Sequence, residues 1–484
     1  MGLVGILVSL ALLIWLSFRG WSVLLLAPAV ALLAAALAGE PLLAHWTQTF
    51  MGSAAGFIAQ FFPIFILGAL FGKLMDDSGS VQTIANFMST RLGHRRAILA
   101  VVLAGALVTY GGVSLFVAFF VLAPMARELF RAADIPQRLM PAAIALGTST
   151  FTMSAMPGTP AIQNTIPMPF FGTTPFAAPG LGIIASAIML AFGLWWLGRA
   201  ESSARKAGEG FGGETDVAAK AVADDEFIRE RATAAHEFDP AEISRGKRSD
   251  ATPSVGIAML PLLVVVGVNL LMSFLILPRL DFSFLAEERW GSTSLAGVAG
   301  VWSVAVALAT ASLTLIIFNW QRLPALRASM DAGANASVLP ILAVASLVGF
   351  GAVVAALPAF AMVREWVLSI SGGPLVSLAI ATNVLAALTG SASGGLTIAL
   401  DALGATYLQL AVDTGIDPAL MHRIAVIGSG TLDSLPHNGA VVTLLAVCGS
   451  THRKSYFDIV MANIAGPIVA LVVVIILGSM LGSF

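Results

Sequence analysis

Two short turns rich in glycine and hydroxyl groups interrupt otherwise apolar sequence and have the makings of an anion site. The first is Tyr110-Gly111-Gly112-Val113-Ser114 and the second is Thr389-Gly390-Ser391-Ala392-Ser393-Gly394-Gly395. An apolar run follows each, so the first turn of a helix presents unpaired N–H groups and a partial positive charge at the tip. Such tips hold a carboxylate without a lysine. Gly111, Gly112, Ser114, Ser391, Ser393, Gly394 and Gly395 are therefore candidate substrate-lining residues. The plainer reading is tight turns whose hydroxyls satisfy themselves.

Two polar stretches, 148–164 and 429–439, supply a second set. Thr148, Ser149, Thr152, Ser154, Thr159 and Asn164 belong to the first, and Thr431, Asp433, His437 and Asn438 to the second. Each hydroxyl serves equally as a helix cap or as a ligand. An aspartate inside apolar surroundings is costly unless a proton or cation relieves its charge, which makes Asp433 a candidate for proton coupling rather than a mere cap of the next half-helix. His437, four residues on, is placed to share that proton or simply to pack, and Asn438 offers both a donor and an acceptor to a substrate hydroxyl. Asp401 follows the second turn where the first half has Ala118, and is a further candidate for the proton path. Arg423 either clamps a carboxylate or snorkels to the outer interface, and the second reading is preferred. No phosphate-binding loop, zinc-binding histidine pair or nucleophile elbow occurs, and the single cysteine, Cys448, excludes an internal disulfide and a cysteine metal cluster.

What positions these residues is set by composition. The 484 residues are 58% hydrophobic and 11% charged, against about a quarter charged in soluble domains, with a mean hydropathy of +0.91. A soluble protein of this make-up could not cover its surface, so the chain reads as an all-α polytopic membrane protein. The net charge of −2 leaves no basic surface for nucleic acid. A membrane helix needs about 20 apolar residues, and full spans are expected at 3–18, 23–38, 54–70, 181–197, 255–277, 296–318, 338–357 and 459–477. The first lacks the preceding basic residues and the cleavage site of a signal peptide and is expected to stay as a helix. Segments 97–108 and 113–126 are shorter than a membrane is thick, as are 375–388 and 396–411, which predicts two re-entrant hairpins. Short pieces at 139–147 and 419–428 before the polar stretches predict broken helices.

Basic residues test this layout. With the N-terminus outside, twelve fall on the cytoplasmic side, Arg91, Arg95, Arg96, Arg127 and Arg131 among them, against four outside: Arg279, Arg289, Arg364 and Arg423. That obeys the positive-inside rule. It predicts a bacterial inner-membrane protein with both termini periplasmic. The polar segment 199–253 is expected to be a cytoplasmic linker between membrane repeats 1–198 and 254–484.

The halves echo each other. Gly111-Gly112 faces Gly394-Gly395, Ile135-Pro136 faces Asp417-Pro418, and Thr152 to Pro157 faces Thr431 to Pro436, the offset drifting only from 283 to 279. Each half reads as three helices, a re-entrant hairpin, a broken helix and a final helix, the halves starting on opposite sides. Inverted-topology repeats of this kind build many secondary transporters, with substrate near the midplane where discontinuous helices meet.

The run from Tyr110 to Phe120, taken with 146–164 and with Asp433-Ser434-Leu435-Pro436-His437-Asn438-Gly439-Ala440, resembles the gluconate permease family, within the larger group of ion transporters built on re-entrant hairpins. The resemblance covers nearly the whole chain apart from the linker. It implies an alternating-access, proton-coupled importer of gluconate, related sugar acids or short hydroxy acids such as 3-hydroxybutyrate, with no cofactor beyond the coupling ion. Gluconate-type members carry a carboxylate just after the first tip where this chain has Val117, which favours 3-hydroxybutyrate. The expected partners are a small carboxylate, the lipid bilayer and a second copy in a homodimer. Sodium coupling on the same scaffold stays open. An intramembrane aspartyl protease using Asp401 and Asp433 is a remote alternative that leaves the repeat unexplained.

Overall fold

Inside a bilayer the backbone must satisfy its own hydrogen bonds, and the long apolar runs do so as helices. The computed structural model describes residues 2–19, 21–211, 246–249, 251–436 and 438–484, and no strand occurs among them. The first half runs through α1 (Gly2–Phe18), α2 (Val23–Ala38), α3 (Leu42–Asp77), α4 (Ser80–Leu92), α5 (Ala97–Tyr110), α6 (Leu115–Ala132), α7 (Met140–Thr148), α8 (Phe151–Ser154), α9 (Ile162–Thr165), α10 (Pro167–Phe171) and α11 (Pro179–Lys206). The second runs through α12 (Val255–Arg279), α13 (Leu295–Arg322), α14 (Leu326–Ala356), α15 (Phe360–Leu368), α16 (Gly373–Thr389), α17 (Ala392–Thr414), α18 (Pro418–Ser429), α19 (Gly439–Val447) and α20 (His452–Leu481). Seven of these, α3, α11, α12, α13, α14, α17 and α20, are long and apolar enough to cross a membrane.

Helices α1 and α2, expected as full spans, are shorter apolar helices and not among the seven, and the other departures lie at element ends. The span expected at 54–70 lengthens at both ends into the 36-residue α3; at its later end Lys73, Asp76 and Asp77 are buried and paired, so the helix need not stop at its first charge. The span at 338–357 is the later part of the 31-residue α14, whose first turns carry an exposed Arg327–Asp331 pair. The arm expected at 396–411 begins at Ala392. The Ser391 side chain caps it, accepting a hydrogen bond from the Gly394 N–H at 3.2 Å, so residues assigned to the turn form the first turn of the helix instead. At 23 residues α17 is about 35 Å long, enough to cross, unlike the short arm expected there. Helices α4 and α5 meet at a 101° bend.

Most of the expected linker, 212–245, lies outside the described residues. Its two ends are in place. At one end α11 runs on to Lys206, and Glu209 bonds Arg138 at 2.8 Å, which holds that guanidinium above its ordinary range. At the other, residues 246–249 lie against the end of α3, where the Ser249 N–H donates to Asp77 O at 2.8 Å and Arg248 pairs with Asp76.

The arms α16 and α17 touch through glycine. A Cβ on Gly395 would stand 2.2 Å from Ala386 N and 2.3 Å from its Cα, which is backbone and cannot move aside. Gly198 in α11 has nothing within 4 Å of the same position. Overpacking of this kind costs about 1–3 kcal/mol, whereas alanine in an open helix gains about 0.5–1 kcal/mol. Gly395→Ala is therefore expected to lower the melting temperature of the purified protein by several degrees while Gly198→Ala leaves it level or raises it. Equal melting of the two variants would show that the arms are not held in contact.

Candidate functional site

The two tips open into one cavity of about 160 Å³ between α3, α6 and α14. Gly112, Val113 and Ser114 reach it from the first tip and Ser393 from the second, with Thr109 of α5 and Thr148 of α7 beside them. Gly112 has φ +96°, and a Cβ there would meet Pro160 at 2.9 Å, so both its backbone and its neighbour require glycine. The other tip glycines face elsewhere: Gly111 stands against Leu262 of α12, Gly394 against Leu347 of α14, and Gly395 against α16. The hydroxyl of Ser114, at the N-cap of α6, makes no hydrogen bond within the described residues, and the first turn of that helix leaves N–H groups free at the cavity wall.

One wall of the cavity is apolar, formed in part by Val113, Leu115 and Val117. Phe119 lines a smaller adjoining compartment, while Ala118 and Phe120 line neither. Lys73 and Asp76 stand at the α3 end. Lys73 Nζ bonds Asp77 Oδ1 at 3.0 Å and Arg248 bonds Asp76, so two positive and two negative charges balance there.

The adjoining compartment, about 20 Å³, has room for a single water-sized occupant and shares Leu115 and Met153 with the larger one. Ser149, Asp433, Ser434, Asn438 and Asn463 line it. Ser434 Oγ donates to Asp433 Oδ1 at 3.2 Å. Asn463 sits in a π-helical turn of α20, Met461–Ala465, and its buried Oδ1 has no hydrogen-bond partner among the described residues. Asn438 caps α19, accepting from the Ala440 and Val441 N–H groups at 2.7 and 3.2 Å, and donates to Gly390 O at 2.8 Å. His437 lies outside the described residues. Asp401 lines neither compartment. It is half-buried beside Gly351 of α14 and makes no hydrogen bond or ion pair among the described residues.

The remaining polar candidates turn inward to backbone. Thr152 donates to Gly147 O at 3.1 Å, Ser154 to Thr150 O at 3.0 Å, and Thr431 to Gly428 O at 2.8 Å and to Asn383. Thr159 Oγ1 accepts from the Ala161 N–H at 3.3 Å. Asn164 is committed on all sides. Its Nδ2 donates to Thr159 O and Pro175 O at 3.0 Å each, and its Oδ1 accepts from Arg423 Nη1 and His422 Nε2 at 3.2 Å each. Arg423, expected at the outer interface, is fully buried. Its Nε and Nη2 donate to Ala177 O at 3.0 and 2.7 Å, and no carboxylate pairs with it among the described residues. The irregular segment 155–178 offers carbonyls that no helix satisfies, and this outweighs the pull of the interface.

Several polar residues escaped the sequence reading: Gln163, Lys73, Asp76, His422, Asn269 and Asn463. Asn269 donates to Gly158 O at 3.1 Å from within α12. A lone asparagine in an apolar span was the available signal for Asn269 and Asn463. Gln163 lines the large cavity although its neighbour Asn164 was the residue singled out.

Residues 1–172 match the family of GntP family permeases. The chain is 41% identical over 467 residues, 95% of each chain, to an uncharacterized transporter, YxjC, of Bacillus subtilis (strain 168). The chain belongs to the gluconate permease family. It is also 36% identical over 146 residues to the high-affinity gluconate transporter of Escherichia coli (strain K12), covering 28% of this chain and 31% of that one. To the Gnt-II system L-idonate transporter of the same organism it is 29% identical over 164 residues, covering 33% and 36%. The members of this family are membrane transporters and not enzymes, so the reading of Asp401 and Asp433 as a protease dyad falls.

The hydrogen bonds of Asn164 generate a test of its role. Asn164→Leu removes four and leaves buried carbonyls and a guanidinium short of partners; Asn269→Leu removes one bond to a carbonyl and one long bond, 3.5 Å, from Ser273 Oγ. At about 1–3 kcal/mol for each buried group left unsatisfied, Asn164→Leu is expected to melt well below Asn269→Leu, and both below the unaltered protein. If Asn164 served mainly as a substrate ligand, its leucine variant would melt normally and lose binding alone.

Proposed function

We propose that this permease imports a small hydroxy-monocarboxylate of the 3-hydroxybutyrate type together with protons, by alternating access. The observation that carries this reading is the meeting of both glycine-hydroxyl tips in one cavity. The anion's carboxylate is received by the first turn of α6 and the Ser114 hydroxyl, where free N–H groups and the helix dipole favour negative charge. Arg423 adds a buried positive charge without a carboxylate partner among the described residues, while the charges at the α3 end cancel. Asp433 carries the coupling proton in the adjoining compartment, separated from the substrate by the shared residues Leu115 and Met153.

The two halves act as inverted repeats on this reading. The order of long helix, short helix, paired arms, interrupted helix and final long helix recurs, α3 with α14 and α11 with α20. The two breaks also meet, since a Cβ on Gly430 would stand 2.8 Å from that of Ser154. The arginine-rich loops then face the cytoplasm and both termini the periplasm of a bacterial inner membrane.

The named relatives carry gluconate and L-idonate, which supports an acid as substrate. The apolar wall at Val113, Leu115 and Val117 gives a polyol little to bond, and each buried hydroxyl without a partner costs about 1–3 kcal/mol. Hence 3-hydroxybutyrate is expected to compete for uptake at least tenfold better than gluconate, which needs a difference of only about 1.4 kcal/mol. Equal or stronger inhibition by gluconate would overturn the choice of substrate.

Sodium coupling is the second reading, favoured by the unpartnered Asn463 Oδ1 in a compartment of single-ion size beside Asp433 and Ser434. Uptake into vesicles with an imposed proton gradient and no sodium separates the two. Proton coupling predicts accumulation there, and predicts that Asp433→Asn abolishes gradient-driven uptake with the protein still folded. Sodium-dependent accumulation, or an unchanged pH profile in Asp433→Asn, would sink it.

A further inference from the structure

Gln163 is a lining side chain that no hydrogen bond among the described residues uses. It stands in α9, is 5% exposed, and its amide makes no hydrogen bond among the described residues. The other polar groups of the cavity are engaged. Thr109 and Thr148 donate to carbonyls of their own helices, Gly105 O and Ile144 O, at 2.8 Å each. Ser393 shares a hydrogen bond with Ser391 at 3.2 Å, and Lys73 and Asp76 are ion-paired. Ser114 and Gln163 are thus the two lining side chains that make no hydrogen bond at all among the described residues.

The contrast with the adjacent residue sharpens the point. Asn164 spends every donor and acceptor on the protein, and doing so fixes the backbone that carries Gln163. An amide that opens onto a cavity with no protein partner is free to meet a ligand or water there. An amide can do two things for a hydroxyl, donating to its oxygen and accepting its proton, and neither requires charge.

We propose that Gln163 reads the hydroxyl of the substrate and is the residue that separates a hydroxy acid from the corresponding unsubstituted acid. The inference rests on the carboxylate-importer reading above and deepens it. The carboxylate occupies the α6 end beside Ser114, and Gln163 meets the hydroxyl farther along the same cavity. A site that hydrogen-bonds a substrate hydroxyl discriminates strongly against the analogue lacking it, because the protein group is then left buried and unpaired.

The test measures binding of 3-hydroxybutyrate and butyrate to the purified full-length protein by calorimetry, with a melting curve of each variant as a folding control. The unaltered protein is expected to bind 3-hydroxybutyrate at least tenfold tighter than butyrate. In Gln163→Leu the affinity for 3-hydroxybutyrate is expected to fall at least tenfold, while that for butyrate stays within twofold and the preference disappears. Should the leucine variant not fold, Gln163→Met, closer in length, carries the same expectation. A preference retained in the folded variant, with the unaltered protein binding 3-hydroxybutyrate, overturns the role of Gln163 alone. Binding of neither acid by the unaltered protein overturns this inference together with the carboxylate-importer reading.

Discussion

Interrupting a helix at membrane depth strands carbonyl groups where water is scarce, and each must find a donor from within the protein. In the first half the segment from Ala155 to Ala178 strands several. Tyr110 Oη donates to Pro157 O at 2.8 Å, Asn269 to Gly158 O, Asn164 to Thr159 O and Pro175 O, and Arg423 to Ala177 O. His422 joins through Thr173 Oγ1 at 2.6 Å and Asn164 Oδ1. Since Asn164 Oδ1 can only accept, His422 Nε2 carries a proton, and in the neutral ring Nδ1 accepts from Thr173 Oγ1. The shape of the cavity wall at 160–163 follows from these bonds, because they hold the backbone on both sides of it.

Those donors are not evenly distributed. Asn269, His422 and Arg423 come from the second half of the chain and serve the break of the first. The break of the second half is met from its own side: Asn438 reaches Gly390 O, Thr431 reaches Asn383, Tyr456 Oη donates to Ser434 O at 3.2 Å, and His452 Nε2 to Pro436 O at 2.7 Å. Sequence matches at a near-constant offset thus coexist with unequal means of support. A buried guanidinium satisfied by carbonyls rather than by a carboxylate also leaves its charge in place, so the same interaction that builds the wall contributes a positive potential behind it.

What was legible in the sequence follows from the same physics. Apolar runs and turn glycines act locally, and they located α1, α2, α12, both tips and both breaks to within a few residues. Element ends were misjudged where a side-chain bond, near in sequence or, for Arg248, distant, changed the local balance. The buried pairs Lys73–Asp77 and Asp76–Arg248 let α3 continue, and the Ser391 cap moved the start of α17 back to Ala392. Residue types named the right stretches but not the right faces. Gln163 and Asn164 are chemically alike and adjacent, and which one looks into the cavity depends on Arg423 and His422, more than 250 residues away. Arg423 was misread because an arginine near a span end snorkels by default, and no local pattern announces carbonyls that need it.

The uneven support has a consequence for how such a protein would move. The first break is tied to α12 and α18 by side chains whose loss would leave carbonyls and a guanidinium buried without partners, so these parts are expected to travel together. The second break is tied to α16 and α20 instead, and meets the first at the close approach of Ser154 and Gly430, where apposed small residues offer contact without a hydrogen bond between them. Gly430 closes α18, which His422 and Arg423 tie to the first break, so this contact moves with that body, and on an alternating-access reading the bond-free surface left for a shift is the cavity beside it. Sliding there exchanges van der Waals neighbours, whereas sliding anywhere along the Asn164–Arg423 network would unpair groups that the membrane interior cannot hydrate.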